Sequence, residues 1–225
     1  MTDLFLHLMN MSLTASWMIL AVLLLRLVLK KAPRWIPCLL WGVVALRLIL
    51  PFSLESALSL IPSAEPIPPD IAVTDTPAID TGIPVINETV NPIISETFSP
   101  PVENTGATPM QTLLDVVSIV WVAGIGLMLL YSLFSYLRLY VKVRASLRRE
   151  ENVYYCDAIA YPFILGIFRP RIYIPSGMPE DQVGYILRHE RAHLARRDHW
   201  WKPLGFLLLS VYWFNPIIWV GYILL

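Results

Sequence analysis

The sequence predicts a mainly α-helical membrane protein, with three transmembrane helices and a partial α+β domain on the cytoplasmic side. Two observations carry that prediction. The 225 residues are 56% hydrophobic with a mean hydropathy of +0.59, and the apolar residues stand in long blocks instead of amphipathic stripes. The basic residues are also segregated: residues 51–109 contain neither Lys nor Arg, while short clusters flank the apolar blocks.

The first block, residues 4–29, has a charge-free core over 13–25; a shorter one covers 35–52 and a third covers 113–137. At 1.5 Å rise per residue, about 20 residues cross a ~30 Å hydrocarbon layer, so the first and third are full spans and the second is marginal. The amino terminus opens with Asp3 where a secretory signal has a basic region, and no small-residue cleavage site follows, so it is read as a span. Arg26 and Arg47 lie near the ends of their spans, where long stems reach the headgroups, and Gly124 and Gly126 read as close-packing points in the third.

Orientation follows from charge. Lys30, Lys31 and Arg34 crowd the turn between the first two spans, and Arg138, Lys142, Arg144, Arg148 and Arg149 follow the third. The positive-inside rule then places the amino terminus outside. Residues 1–52 are two spans joined by a basic cytoplasmic turn, and 53–110 form an acidic, Pro-rich extracellular loop. Residues 111–137 are the third span, 138–199 a cytoplasmic core and 200–225 a further apolar segment. The outer stretch carries Glu55, Glu65, Asp70, Asp75, Asp80, Glu88, Glu96 and Glu103 among many prolines. It has little apolar periodicity and too many prolines for helix, so it reads as irregular chain, with a ligand-sensing role as the alternative.

Two cysteines make no disulfide framework; Cys38 and Cys156 read as ordinary small residues on the reducing side. The cytoplasmic part begins with a strand candidate at Val153–Cys156. Residues 171–174 alternate polar and apolar between Pro170 and Pro175, as a half-buried or edge strand does. Such an edge would accept a substrate backbone as an added strand; the alternative is a strand that only packs beneath the next helix. That helix starts with Pro179 at its first position, Glu180 and Asp181 favouring its positive end, and runs to about Arg197. It turns Val183, Ile186, Leu187, Glu190, His193 and Leu194 to one side.

On it lies His189-Glu190-Arg191-Ala192-His193. Side chains four apart share a helix face, so the two imidazoles converge on one Zn²⁺ while Glu190 reaches the attacking water. Zinc polarises a scissile carbonyl and acidifies water, and the adjacent carboxylate passes a proton to the leaving amine. The competing reading has Glu190 paired with Arg188 or Arg191 and the histidines as satisfied core residues. For a third ligand, His199 lies ten residues after His189, but Arg196 occupies the position where a glycine would turn the chain back. Asp198 is read as orienting a ligand in preference to binding metal.

Residues 163–175 (Phe-Ile-Leu-Gly-Ile-Phe-Arg-Pro-Arg-Ile-Tyr-Ile-Pro), the His189–His193 motif with Arg196 and Asp198 after it, and Trp213-Phe214-Asn215-Pro216 together carry a resemblance. They look like the membrane-bound metallopeptidases of the beta-lactam-sensing antirepressor type (BlaR/MecR), over roughly residues 110–225. The resemblance implies a cytoplasmic gluzincin-like zinc-peptidase domain, switched on by an outer signal and leading to cleavage of a DNA-bound repressor. It implies His189 and His193 as zinc ligands and Glu190 as catalytic acid/base. The family's third ligand is a glutamate past the Trp-Phe-Asn-Pro motif, which is expected beyond Leu225.

Asn215-Pro216 divides the last apolar segment into pieces of about 13 and 10 residues, each too short to cross a bilayer. A membrane-associated or re-entrant helical hairpin bent at Pro216 is preferred to a plain fourth span. The expected function is a signal-transducing zinc metalloendopeptidase in the bacterial plasma membrane, acting on a cytoplasmic protein such as a transcriptional repressor, or on itself. The competing classes are a non-catalytic signalling module and, more weakly, a transporter element. The expected partners are the lipid bilayer and the protein substrate, with a homodimer as a candidate assembly; zero net charge predicts no direct nucleic-acid contact.

Overall fold

The computed structural model describes residues 1–28, 35–50, 66–68, 71, 74, 77–98, 109–150 and 152–224. Lys30, Lys31 and Arg34, half of the acidic 53–110 stretch and Leu225 lie outside them. The described chain is mostly helical with one small sheet, and it divides into two units: Met1–Ile125 with Leu208–Leu225, and Gly126–Leu207.

In the first unit, α1 (Thr2–Val28) and the long α4 (Pro109–Val143, shared by both units) are long and apolar enough to cross a membrane. Their 27 and 35 residues amount to roughly 40 and 52 Å. The middle helix, α2 (Trp35–Ile49), has only 15 residues, about 22 Å, which is short for a span. α1 is apolar yet carries a run of small polar side chains. Ser12, Thr14 and Ser16 satisfy their hydroxyls on carbonyls three or four residues back, at 2.7–2.9 Å. The arginines find carbonyls too: Arg26 donates to Leu224 at 3.2 Å and Arg47 to Leu50 at 3.3 Å, so each serves a helix end.

Where the sequence predicts irregular outer chain, residues 84–98 form a helix, α3 (Pro84–Phe98). Its two prolines are tolerated for different reasons. Pro84 occupies the first position, where no amide donor is needed, and Pro92 costs the single bond to the Glu88 carbonyl. Two asparagines one turn apart fasten the incoming chain: Asn91 takes the Ile79 amide at 2.8 Å and returns a bond to its carbonyl at 3.0 Å. Asn87 accepts from the Thr81 amide and hydroxyl at 2.9 and 2.7 Å, so its amide is committed to the turn. Ile94 and Phe98 then pack on a cluster of Leu6, Ile71, Met110 and Leu114. Asn10 of α1 clasps Ile67 through both its amide and its carbonyl, at 3.1 and 2.8 Å.

The final apolar segment is α6 (Asp198–Val211) and α7 (Pro216–Leu224), parted at Asn215. Asn215 accepts the Ile217 amide at 3.0 Å, capping α7 with Pro216 at its first position, and donates to the Ser16 hydroxyl at 2.8 Å. Trp213 lies against Gly124, where a Cβ would stand 2.3 Å from the indole, whereas nothing approaches Gly126. The close-packing expectation therefore holds at Gly124 and not at Gly126. Trp213 donates to the Trp121 carbonyl (3.2 Å), Trp121 to that of Val211 (2.8 Å), and the buried Tyr212 hydroxyl to that of Leu48 (2.9 Å).

The second unit holds a four-stranded sheet in the order β1-β2-β4-β3, from β1 (Leu147–Arg148), β2 (Val153–Cys156), β3 (Phe163–Leu165) and β4 (Arg171–Pro175). β2 and β4 are parallel, and both outer pairings are antiparallel. β4 is interior, hydrogen-bonded on both sides, so the expectation that it offers a free edge to a substrate is overturned. Its alternation misleads because both faces are covered. Ile172 and Ile174 pack with Val153 and with the helix α5 (Glu180–Ala195), while Tyr173 packs with Val143, Cys156 and Ile159. Cys156 is a buried free thiol, as expected; the side chain of Cys38 lies outside the described residues.

Candidate metal centre

α5 carries the motif, and the sheet fixes its rotation. Val183, Leu187 and Leu194 bury against Val153, Ile172 and Ile174, which leaves His189 exposed and Glu190 and His193 half-buried. Its start is one residue later than the sequence predicts: Pro179 caps the helix with ψ 136, and Glu180 is the first helical residue. Two ion pairs fasten α5 to the β1–β2 connection, Arg149–Glu180 at 3.3 Å and Arg191–Glu150 at 3.0 Å. Arg191 is thus engaged elsewhere, and among the described residues Glu190 has no ion pair, which removes the competing reading of a Glu190–arginine pair.

The Nε2 atoms of His189 and His193 stand 3.2 Å apart. A tetrahedral zinc ion about 2.0–2.1 Å from each nitrogen would separate them by roughly 3.3 Å, so the pair fits that ion. Behind His193, an Asp198 carboxylate oxygen lies 2.5 Å from Nδ1. A carboxylate only accepts, so Asp198 bonds the Nδ1–H tautomer of His193, the one that leaves the Nε2 lone pair for a metal. Arg196 lies 3.4 Å from the same oxygen and 2.9 Å from Nδ1, which its N–H bonds only in the other tautomer.

The turn that returns Asp198 to His193 uses no glycine. Arg197 itself adopts the left-handed conformation, φ 59, its amide bonded to the Leu194 carbonyl at 3.0 Å, and Trp200 closes on the Arg197 carbonyl at 2.9 Å. That backbone costs an L-residue about 1–2 kcal/mol. The chain thus reverses after His193 without glycine, contrary to the expectation from Arg196. What the reversal delivers is Asp198, on Nδ1. His199 faces Trp200 with its Nδ1 buried and without a hydrogen-bond partner among the described residues. No group of three His, Cys, Asp or Glu that could hold a metal ion gathers among the described residues.

A helix bearing His-Glu-x-x-His over a small sheet, in a chain that also has helices long enough to cross a bilayer, is the pattern of a metal-dependent peptidase. The family model described as BlaR1 peptidase M56 matches residues 6–224, and the chain belongs to that family. Among curated relatives, the regulatory protein BlaR1 of Bacillus licheniformis is 30% identical over 124 residues, covering 44% of this chain and 20% of that protein. The methicillin resistance mecR1 proteins of Staphylococcus aureus (strain Mu50 / ATCC 700699) and Staphylococcus epidermidis are each 23% identical over 78 residues, 33% of this chain and 13% of theirs. The matched stretch thus spans a fifth or less of these relatives.

Proposed function

We propose that this chain is a membrane-embedded zinc metalloendopeptidase of signal-transducer type, with three crossings and its metal helix in the cytoplasm. It hydrolyses a repressor-like cytoplasmic protein, or itself, in response to an envelope signal. The observation that carries this reading is the convergence of the two Nε2 atoms with a carboxylate seated on the rear nitrogen of one ring, in a chain of the M56 family. When bound, zinc supplies Lewis acidity to the scissile carbonyl and to water. Glu190, half-buried and free of a basic partner among the described residues, accepts the proton of the attacking water and delivers it to the leaving amine. Asp198 keeps His193 in its ligating tautomer. α6 and α7, of 14 and 9 residues and parted at Asn215-Pro216, form the membrane-associated hairpin, whereas α2 crosses within the continuous apolar block of residues 35–52.

Zinc analysis of the purified chain in nanodiscs tests the reading. His189→Ala or His193→Ala is expected to abolish about one equivalent of bound zinc, whereas Glu190→Gln retains it and loses at least ~10²-fold in peptide hydrolysis. Zinc content indifferent to the histidines would overturn the metal site. Zinc binding without hydrolysis in the unsubstituted chain would favour a non-catalytic signalling module.

A further inference from the structure

Away from the histidines, the second unit presents an aromatic surface that the peptidase reading does not use. The β3–β4 connection is a tight turn built on Gly166, whose φ is 106 and where a Cβ would stand 2.7 Å from the Arg169 carbonyl oxygen. The turn projects Ile167 and Phe168, which are 38% and 84% exposed. Phe168 meets Trp200, edge to face at 5.3 Å, and Trp200 and Trp201 in the first turn of α6 are 46% and 58% exposed. Two elements distant in sequence therefore set large rings side by side. Arg169, Arg197 and Lys202 flank these rings in sequence, are exposed, and enter no ion pair among the described residues.

Exposed aromatic rings bordered by unpaired cations suit the headgroup layer of an anionic membrane, which takes the rings at the acyl boundary and the cations on its phosphates. The surface is also continuous with the apolar segment: after Lys202 no charged residue occurs through Leu225, and α6 runs unbroken from Trp200 into Leu207–Leu209. The charge balance agrees, since residues 126–207 hold twelve basic and seven acidic side chains within a chain of zero net charge.

We propose that Ile167, Phe168, Trp200 and Trp201 form an interfacial anchor that docks the peptidase domain on the anionic cytoplasmic leaflet, with Arg169, Arg197 and Lys202 on lipid phosphates. This rests on the membrane-embedded reading above. The test uses the full chain in nanodiscs of phosphatidylcholine with or without phosphatidylglycerol. Spin labels are placed singly at Ile167→Cys, Tyr161→Cys and Leu127→Cys in a Cys38→Ala/Cys156→Ala background, and depth is read from oxygen against nickel-chelate accessibility. Tyr161 is 80% exposed and outside the patch, and Leu127 reports α4 itself. The expected result is a lipid-boundary signature at 167 and a water signature at 161, with 167 shifted toward water by Phe168→Ser. Arg169→Glu/Lys202→Glu is expected to erase the deepening that phosphatidylglycerol causes. A label at 167 as water-accessible as that at 161, while 127 reports lipid, overturns the anchor alone and leaves the rings to a protein partner. A water signature at 127 overturns the membrane reading and the anchor with it.

Discussion

At the residue scale, the centre depends on the order of atoms along His189, His193 and Asp198. In the proposed zinc centre the 2.5 Å contact on Nδ1 gives Asp198 a positioning role: Asp198→Asn is expected to weaken zinc binding about 10–100-fold, as competition with a chelator would measure. An unchanged zinc affinity would remove Asp198 from the site. Asp80 provides a pH-dependent counterpart in the acidic, Pro-rich stretch. Bonds from the Gly82 amide at 3.0 Å and the Asn87 amide at 2.9 Å hold its carboxyl below the ordinary range, the backbone bond contributing most. A depressed folded value means that the stabilisation is present above the unfolded pKa of about 4 and is lost as pH falls through the folded one. Nuclear magnetic resonance of the Gly82 amide is expected to show this turn intact at neutral pH and opening only below the ordinary carboxylate range. Asp80→Asn should be flat over the same range.

At the element scale, the helices repeat what their sequences state locally, and their junctions do not. The split of residues 200–225 at Asn215-Pro216 is visible in the sequence, because proline after asparagine ends one helix and begins another. That Trp213 needs Gly124 is not visible, since the two residues meet only in the fold. Gly124→Val is therefore expected to destabilise the folded chain by about 1–3 kcal/mol, and Gly126→Val, with open space around it, to lie near neutral. Unfolding midpoints of the two variants in the same detergent check the contrast, and equal midpoints would remove Trp213–Gly124 as a packing point. α3 shows why composition misjudged the outer stretch. Proline and acidic counts suggested irregular chain, but Pro84 is placed where helices accept it, and Asn87 and Asn91 supply anchorage that a count does not register.

For the whole molecule, the zero net charge conceals an imbalance that carries the proposed orientation. The segment with the histidine helix is basic, and the charged residues of 51–109 are all acidic. In intact cells, an impermeant thiol reagent is expected to label Glu88→Cys and to spare Tyr161→Cys until the membrane is opened. Labelling of the latter from outside would invert the topology. The family and the broad architecture were legible because linked motifs and apolar blocks are contiguous features. The role of β4 was not, since its Arg171-Ile172-Tyr173-Ile174 alternation is the same whether one face or both are covered.

By itself the sequence determined the long apolar helices, the break before Pro216 and the placement of His189 and His193 on one helical face. Each of these follows from periodicity or backbone chemistry acting within a few residues. Only the tertiary structure decided that β4 lies inside the sheet, that Asp198 and not His199 returns to the histidine pair, and that Trp213 occupies the space beside Gly124. Those outcomes depend on which distant surfaces meet, and on a left-handed turn at Arg197 that no local preference would select.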